Sequence, residues 1–256
     1  MPKFVAGGDS FTWGSELPDC NETSPSRLTW AGLLCDRMQM DYHCVAKPGA
    51  GNHSIMRRVI QELDQDRADF VAVMWTYPIR SELRLREDLA LELTSLYKKY
   101  DIQSGDLDQG WLTLSIWQTI PYSEKIDHYG LAQDEWFCNK LKKQCDFYDE
   151  IGVTDLSNKL FSVASVEHHA YDSIMSMFCL QSYLEKQGIE YVFAGATSEV
   201  TNMLDQHPMG KLIDTDRWLN IDMGFNEWSR SQGYEISPMN HPVAAAHRDW
   251  LDHYDP

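Results

Sequence analysis

The chain has 256 residues, with 22 Lys and Arg against 39 Asp and Glu, for a net charge of −17. That length suits one large α/β domain or two small ones, and 43% hydrophobic residues with 12% aromatics exclude a disordered chain. So acidic a surface argues against nucleic acid or anionic lipid as the main partner, because both bind through clustered Lys and Arg, and it favours neutral or cationic small molecules.

No apolar run approaches the roughly 20 residues that a membrane-crossing helix needs. Met1-Pro2-Lys3 leads at once into Phe4-Val5-Ala6, so a core strand stands where a signal peptide would, and a cytoplasmic protein is expected. Cys20, Cys35, Cys44, Cys138, Cys145 and Cys179 contain no CxxC pair and are expected to be reduced thiols. Residues 3–6, 42–46, 70–75 and 191–194 read as short buried strands, rich in β-branched and aromatic side chains. A helix follows Asn52, with Ile55, Met56, Val59, Ile60 and Leu63 on one face and Arg57, Arg58 and Glu62 largely outside it. A second stripe runs through Leu89, Leu93, Leu96, Tyr97 and Tyr100. A third helix is predicted from an N-cap at Asp172 to a stop at Gly188. Alternating strands and helices predict a parallel sheet with helices on both faces, in a single domain over residues 1–256. Residues 101–165 are too long for a plain connection and are expected to form a helical insertion, either a lid or a packing subdomain.

The candidate chemistry sits where strands end. The first strand runs into Gly7-Gly8-Asp9-Ser10, a turn that can expose a serine hydroxyl and offer its backbone N–H to an oxyanion, with Asp9 bonding the surrounding backbone. A plain turn or cap is the simpler account of the same tripeptide. After the second strand, Gly49 and Gly51 allow close backbone approach at the start of a helix, and Asn52 is a possible N-cap; a phosphate loop would need a Gly-Lys-Ser/Thr ending that is missing. After the third strand come Thr76, Tyr77 and Arg80, facing the same crevice, with Arg80 expected to pair with Glu82 or another carboxylate. Near the C-terminus His241 precedes Pro242, which suits the first position of a helix and places an imidazole where a general base is useful. His168-His169 and Asp205-x-His207 lack zinc-site spacing, so neither metal nor cofactor is expected.

Gly-Asp-Ser at the first strand, a glycine turn after the second, a polar turn after the third and His-Pro at the final helix together resemble the SGNH or GDSL-type hydrolases over essentially the whole chain. The resemblance implies a flavodoxin-like three-layer α/β/α sandwich and acyl-ester hydrolysis, with Ser10 as nucleophile, His241 as its base, and the N–H groups of Ser10 and Gly49 or Gly51 as oxyanion donors. Two positions depart from the family pattern. Its usual asparagine block reads Trp75-Thr76-Tyr77 here, leaving Asn52, Thr76 or Arg80 to replace the side-chain donor. Its usual acid, three residues before the histidine, is Pro238, leaving a backbone carbonyl or a distant carboxylate (Asp214, Asp216, Asp222 or Glu235) to orient His241.

The expected activity is therefore serine hydrolysis of an acyl ester of a sugar or another small molecule. Acyl transfer by the same residues is one alternative, and a degenerate binding or structural protein that kept the fold is another. A third is a glycan-binding module using Trp111, Trp117 and Trp136 as stacking platforms.

Overall fold

The computed structural model describes residues 1–252 apart from 22, 103–106 and 130–132. The fully buried β1 (Lys3–Gly7) turns through Gly8 and Asp9 into the single turn α1 (Ser10–Trp13), and α2 (Trp30–Arg37) follows a loop. Next come β2 (Asp41–Cys44), the amphipathic α3 (Asn52–Gln65) and β3 (Phe70–Trp75). The chain then leaves the sheet through β4 (Arg80–Arg84), α4 (Glu87–Lys99), β5 (Leu107–Asp108), β6 (Trp111–Ser115), α5 (Tyr122–Tyr129), α6 (Glu135–Glu150) and α7 (Val153–Val163). It returns along α8 (Val166–Gln187) to β7 (Glu190–Gly195), and ends with α9 (Ser198–Gln206), β8 (Trp218–Leu219), α10 (Phe225–Ser231) and α11 (Ala244–Leu251).

The main sheet is parallel in the order β2-β1-β3-β7-β8. Counting only its own strands, that is the 2-1-3-4-5 order of a flavodoxin-like sandwich. Side chains alternate across it. Val71, Val73 and Trp75 join Ile55, Val59, Ile174 and Met177 in the layer of α3 and α8. Phe70, Ala72 and Met74 join Trp30, Leu34, Phe225 and Trp250 in the layer of α2, α10 and α11. All six residues of β3 are buried, which is why the segment reads as a continuous apolar run.

Several boundaries differ from expectation. Asn52 is the first residue of α3, and Gly51 occupies the N-cap without a side-chain bond. Helix α8 starts two turns before Asp172, because Ser165 caps it by accepting the His168 N–H, while Asp172 pairs with His168 along the helix. Gly188, at φ 62°, ends it as expected. The two-residue β8, which pairs with Phe193 and Ala194, is too short to give a periodic signal.

The excursion is also not purely helical. It begins at Arg80, and β4, β6 and β5 form an antiparallel sheet backed by Tyr97, Phe147, Tyr148 and Val153 in a core of its own. Polar contacts fasten it to α3. Asp108 accepts from Arg57 at 2.9 Å and Arg58 at 3.0 Å, and Lys47 Nζ lies 3.5 Å away. Arg57, expected on the outer face of its helix, is buried beneath Trp111 instead. Burial pushes the Asp108 carboxyl up, but Lys47 and Arg58 outweigh it and hold the group below the usual range. The six cysteines are free thiols, and among the described residues no helix is long and apolar enough to cross a membrane.

Removing one partner of such an ion cluster leaves uncompensated charge, which costs about 3–5 kcal/mol at a buried site. Asp108→Asn is therefore expected to lower the unfolding free energy by about 3 kcal/mol, measured by urea denaturation at neutral pH.

Candidate active site

Sterics dictate the first turn. Gly8 adopts φ 155°, and a Cβ there would stand 2.2 Å from Thr12 Oγ1, so only glycine lets β1 fold back into α1. Asp9 caps the helix by accepting the Phe11 N–H at 3.0 Å. Its other oxygen accepts from Thr76 Oγ1 at 2.6 Å and Arg80 Nη1 at 3.2 Å. The same Arg80 nitrogen donates to Ala50 O and Thr76 Oγ1, so Arg80 pairs with Asp9, while Glu82 pairs with His53. Ser10 is half-buried at the start of α1.

The second turn meets the first through Lys47 N–H, which donates to Gly8 O at 3.0 Å. Gly49 takes a left-handed φ of 81°. Among the described residues, the backbone N–H groups of Ser10, Gly49 and Gly51 donate no hydrogen bond. Asn52 faces inward, contrary to its expected part as an oxyanion donor. Its amide donates to Thr76 O at 3.1 Å and Ser173 Oγ at 3.0 Å, and its oxygen accepts the Thr76 N–H at 2.9 Å. Thr76 is equally engaged, since its hydroxyl proton goes to Asp9. Tyr77 lies beside Arg80, and burial, followed by the Asp9 charge, pushes its phenol up to about 12.

His241 lies outside the final helix, which starts at Ala244 with Val243 as N-cap. It closes a tight turn in which Ser237 N–H donates to His241 O, Asn240 N–H to Ser237 O and His241 N–H to Ser237 Oγ. A bridge between Ile236 and Pro242 closes the ends. The imidazole packs edge-on against Phe11, with ring centroids 5.5 Å apart, so it stands beside the residue that follows Ser10. No hydrogen bond joins Ser10 Oγ to His241 among the described residues.

The carboxylate that meets this histidine is Glu16, not any of Asp214, Asp216, Asp222 or Glu235. His241 Nδ1 lies 2.5 Å from Glu16 Oε2, which also accepts from Ser237 Oγ at 2.5 Å, and Glu16 Oε1 accepts the Met239 N–H at 3.4 Å. Asp214 instead caps a short 3-10 turn. Burial pushes the Glu16 carboxyl up, but the bonds from His241 and Ser237 prevail and hold it below the ordinary carboxylate range. The carboxylates expected to orient His241 lie between positions 214 and 235, whereas Glu16 follows the Ser10 turn. The one local signal was its place six residues after Ser10.

A cavity of about 460 Å³ lies under the excursion, lined by Asn52, His53, Arg80, Glu82, Trp111 and Ser173 among others. Neither Ser10 nor His241 lines it, so this cavity is separate from the Ser10 turn and shares only the Asn52–Arg80 wall of the turns. Of the three tryptophans expected as stacking platforms, Trp111 and Trp117 are half-buried, and Trp111 lines this cavity. His53, Arg57 and Arg84 crowd the Trp111 ring, and Lys125 and His128 sit against Trp117, while Trp136 is exposed beside Lys140.

No family model matches the chain, and no curated protein matches its sequence. Among solved structures, TesA aligns at TM-score 0.40 and 10% identity, over 98% of this chain and 94% of that one. The psychrotrophic esterase EstA from Pseudoalteromonas sp. aligns at 0.40 and 10%, over 99% and 94%. The lipase Lip_vut3 from a goat rumen metagenome aligns at 0.38 and 10%, over 98% and 96%.

His247, the other histidine of this segment, is buried and accepts the Trp30 N–H at 3.1 Å. Burial, followed by the charge of His241, pushes it down to about 3. The unfolded chain therefore binds a proton between pH 6.5 and about 3 that the folded chain does not. This stability is fully present above pH 6.5 and is lost on acidification, with a slope of up to about 1.4 kcal/mol per pH unit. In His247→Asn that part of the slope is expected to disappear, as measured by urea denaturation between pH 6.5 and 4.

Proposed function

We propose that the chain is a serine hydrolase acting on an acyl ester of a sugar or another small molecule. Ser10 Oγ attacks the acyl carbonyl and passes its proton to His241. The tetrahedral oxyanion is received by the N–H groups of Ser10 and Gly49 or Gly51, and the alcohol leaves with the proton returned by His241. A water molecule, deprotonated by the same imidazole, then releases the carboxylic acid and restores Ser10. Transfer of the acyl group to another alcohol would use the same residues.

The observation that supports this reading best is convergence at the sheet's carboxyl edge. An imidazole from the far end of the chain packs against α1 beside Ser10, and three backbone N–H groups there lack acceptors. Because Asn52 and Thr76 are engaged elsewhere, no side chain takes the place of the family's asparagine. Loss of one oxyanion donor costs about 10²–10³ in rate, so slow turnover is expected.

A fluorophosphonate probe followed by peptide mass spectrometry is expected to place a single covalent adduct on Ser10. Ser10→Ala should carry no adduct and hydrolyse no p-nitrophenyl acetate. Folded protein that stays unlabelled, and whose ester turnover is the same in Ser10→Ala, would establish the degenerate binding protein instead.

A further inference from the structure

We propose that Glu16 is the residue that positions His241, replacing from the nucleophile's own segment the acid that is missing at position 238. The inference rests on His241 being the base. Its ground is the donor set: one carboxylate collects the imidazole Nδ1, the Ser237 hydroxyl and the Met239 N–H, all from the same turn. Holding Nδ1–H on Glu16 leaves Nε2 as the nitrogen free to take the serine proton.

A purely structural clamp is the competing account, and the turn argues against it. Residues 237–241 are already closed by Ser237 N–H to His241 O, Asn240 N–H to Ser237 O and the Ile236–Pro242 bridge. Asn226 and Arg230 hold Asn240 from outside. The loop's shape therefore has its own supports, and what Glu16 adds is the ring's tautomer, its orientation and a negative charge. Glu16 also adopts a left-handed φ of 67°. A non-glycine residue in that region persists where the surroundings over-determine it. Such outliers gather at functional sites.

The chemistry requires this charge during the reaction. As Ser10 loses its proton the imidazole becomes imidazolium, and an ionised partner at Nδ1 stabilises it without itself taking the proton. An isosteric amide keeps the hydrogen bond but not the charge, so Gln and Asp separate the two accounts.

The test uses the full chain as wild type, Glu16→Gln, Glu16→Asp and Ser10→Ala, assayed with p-nitrophenyl acetate. For Glu16→Gln, kcat is expected to fall about 10²–10⁴-fold with KM within about threefold, the upper figure being typical of losing the orienting acid. Glu16→Asp, shorter by a methylene but charged, is expected to exceed Glu16→Gln in kcat. A structural clamp predicts the reverse order, and Glu16→Gln equal to or better than Glu16→Asp would overturn the proposal. Nitrogen-15 NMR of neutral His241 in the wild type gives a readout that does not depend on any Glu16 variant folding. The proton is expected on Nδ1, and a proton on Nε2 would overturn the proposal. Ser10→Ala keeps the two readings apart: if it retains full activity, the hydrolase assignment falls, whereas an inactive Ser10→Ala beside a fully active Glu16→Gln removes Glu16 alone.

Discussion

Asp9, a carboxylate with almost no exposure, joins three segments that meet at the carboxyl edge of the sheet. A buried charge is tolerated when it is both paired and hydrogen-bonded, and Asp9 has both: Arg80 supplies the charge, and Phe11 N–H and Thr76 Oγ1 supply the bonds. Each partner belongs to a different piece of the crevice. Phe11 lies in α1 beside Ser10, Thr76 ends β3, and Arg80 is the first residue of the excursion. The interaction that caps α1 therefore also fixes where the chain leaves the sheet. Asn52 extends the lock by holding both backbone groups of Thr76, which ties the start of α3 to the same point.

This lock fixes what the residues around position 76 do. Thr76 and Arg80 point at Asp9, and the nearby Asn52 turns inward to hold Thr76. Asn52 and Thr76 thus serve the scaffold, while among the described residues the N–H groups of Ser10, Gly49 and Gly51 donate no hydrogen bond. Pro238 leaves the turn before His241 without an acid, and Glu16 reaches into it from the segment that follows α1. Ser10 and Glu16 thus lie in one segment, residues 10–16, and the turn that carries His241 docks onto it.

Much of the fold was legible in the sequence because its signals are local. Four short apolar runs fell close to β1, β2, β3 and β7, Gly188 ended α8, and the stripe from Ile55 to Leu63 packed as expected. What escaped reading was pairing between distant segments. The two residues of β8 are a strand only because β7 lies beside them, and β4, half-buried from Arg80 to Leu83 without alternation, does not announce its pairing with β6. Arg57 reads as a surface residue from helical spacing, yet Trp111 and Asp108 arrive from the excursion to cover it. Glu16 is the extreme case. Nothing adjacent to a glutamate after a serine turn indicates that a histidine from the other end of the chain will settle on it.

The charges of the site complete the argument. Lys47 and Arg80 would make the crevice less acidic than the rest of the chain, but Lys47 donates to Leu107 O and sits by Asp108, and Arg80 is paired with Asp9. Glu199 is pushed up by burial and by the charge of Glu227, both of which favour its neutral form. Asp9 and Asp108, the inward carboxylates of the scaffold, are thus matched by fixed guanidinium or ammonium groups. Glu16 differs, since among the described residues its only ion-pair partner is His241, which is cationic only when protonated. A carboxylate matched by Lys or Arg gains little when a neighbouring imidazole is charged, because its field is already cancelled. One left without a fixed cation keeps its field for the imidazole beside it, and under the proposed mechanism Glu16 would stabilise the positive charge that acyl transfer creates at His241.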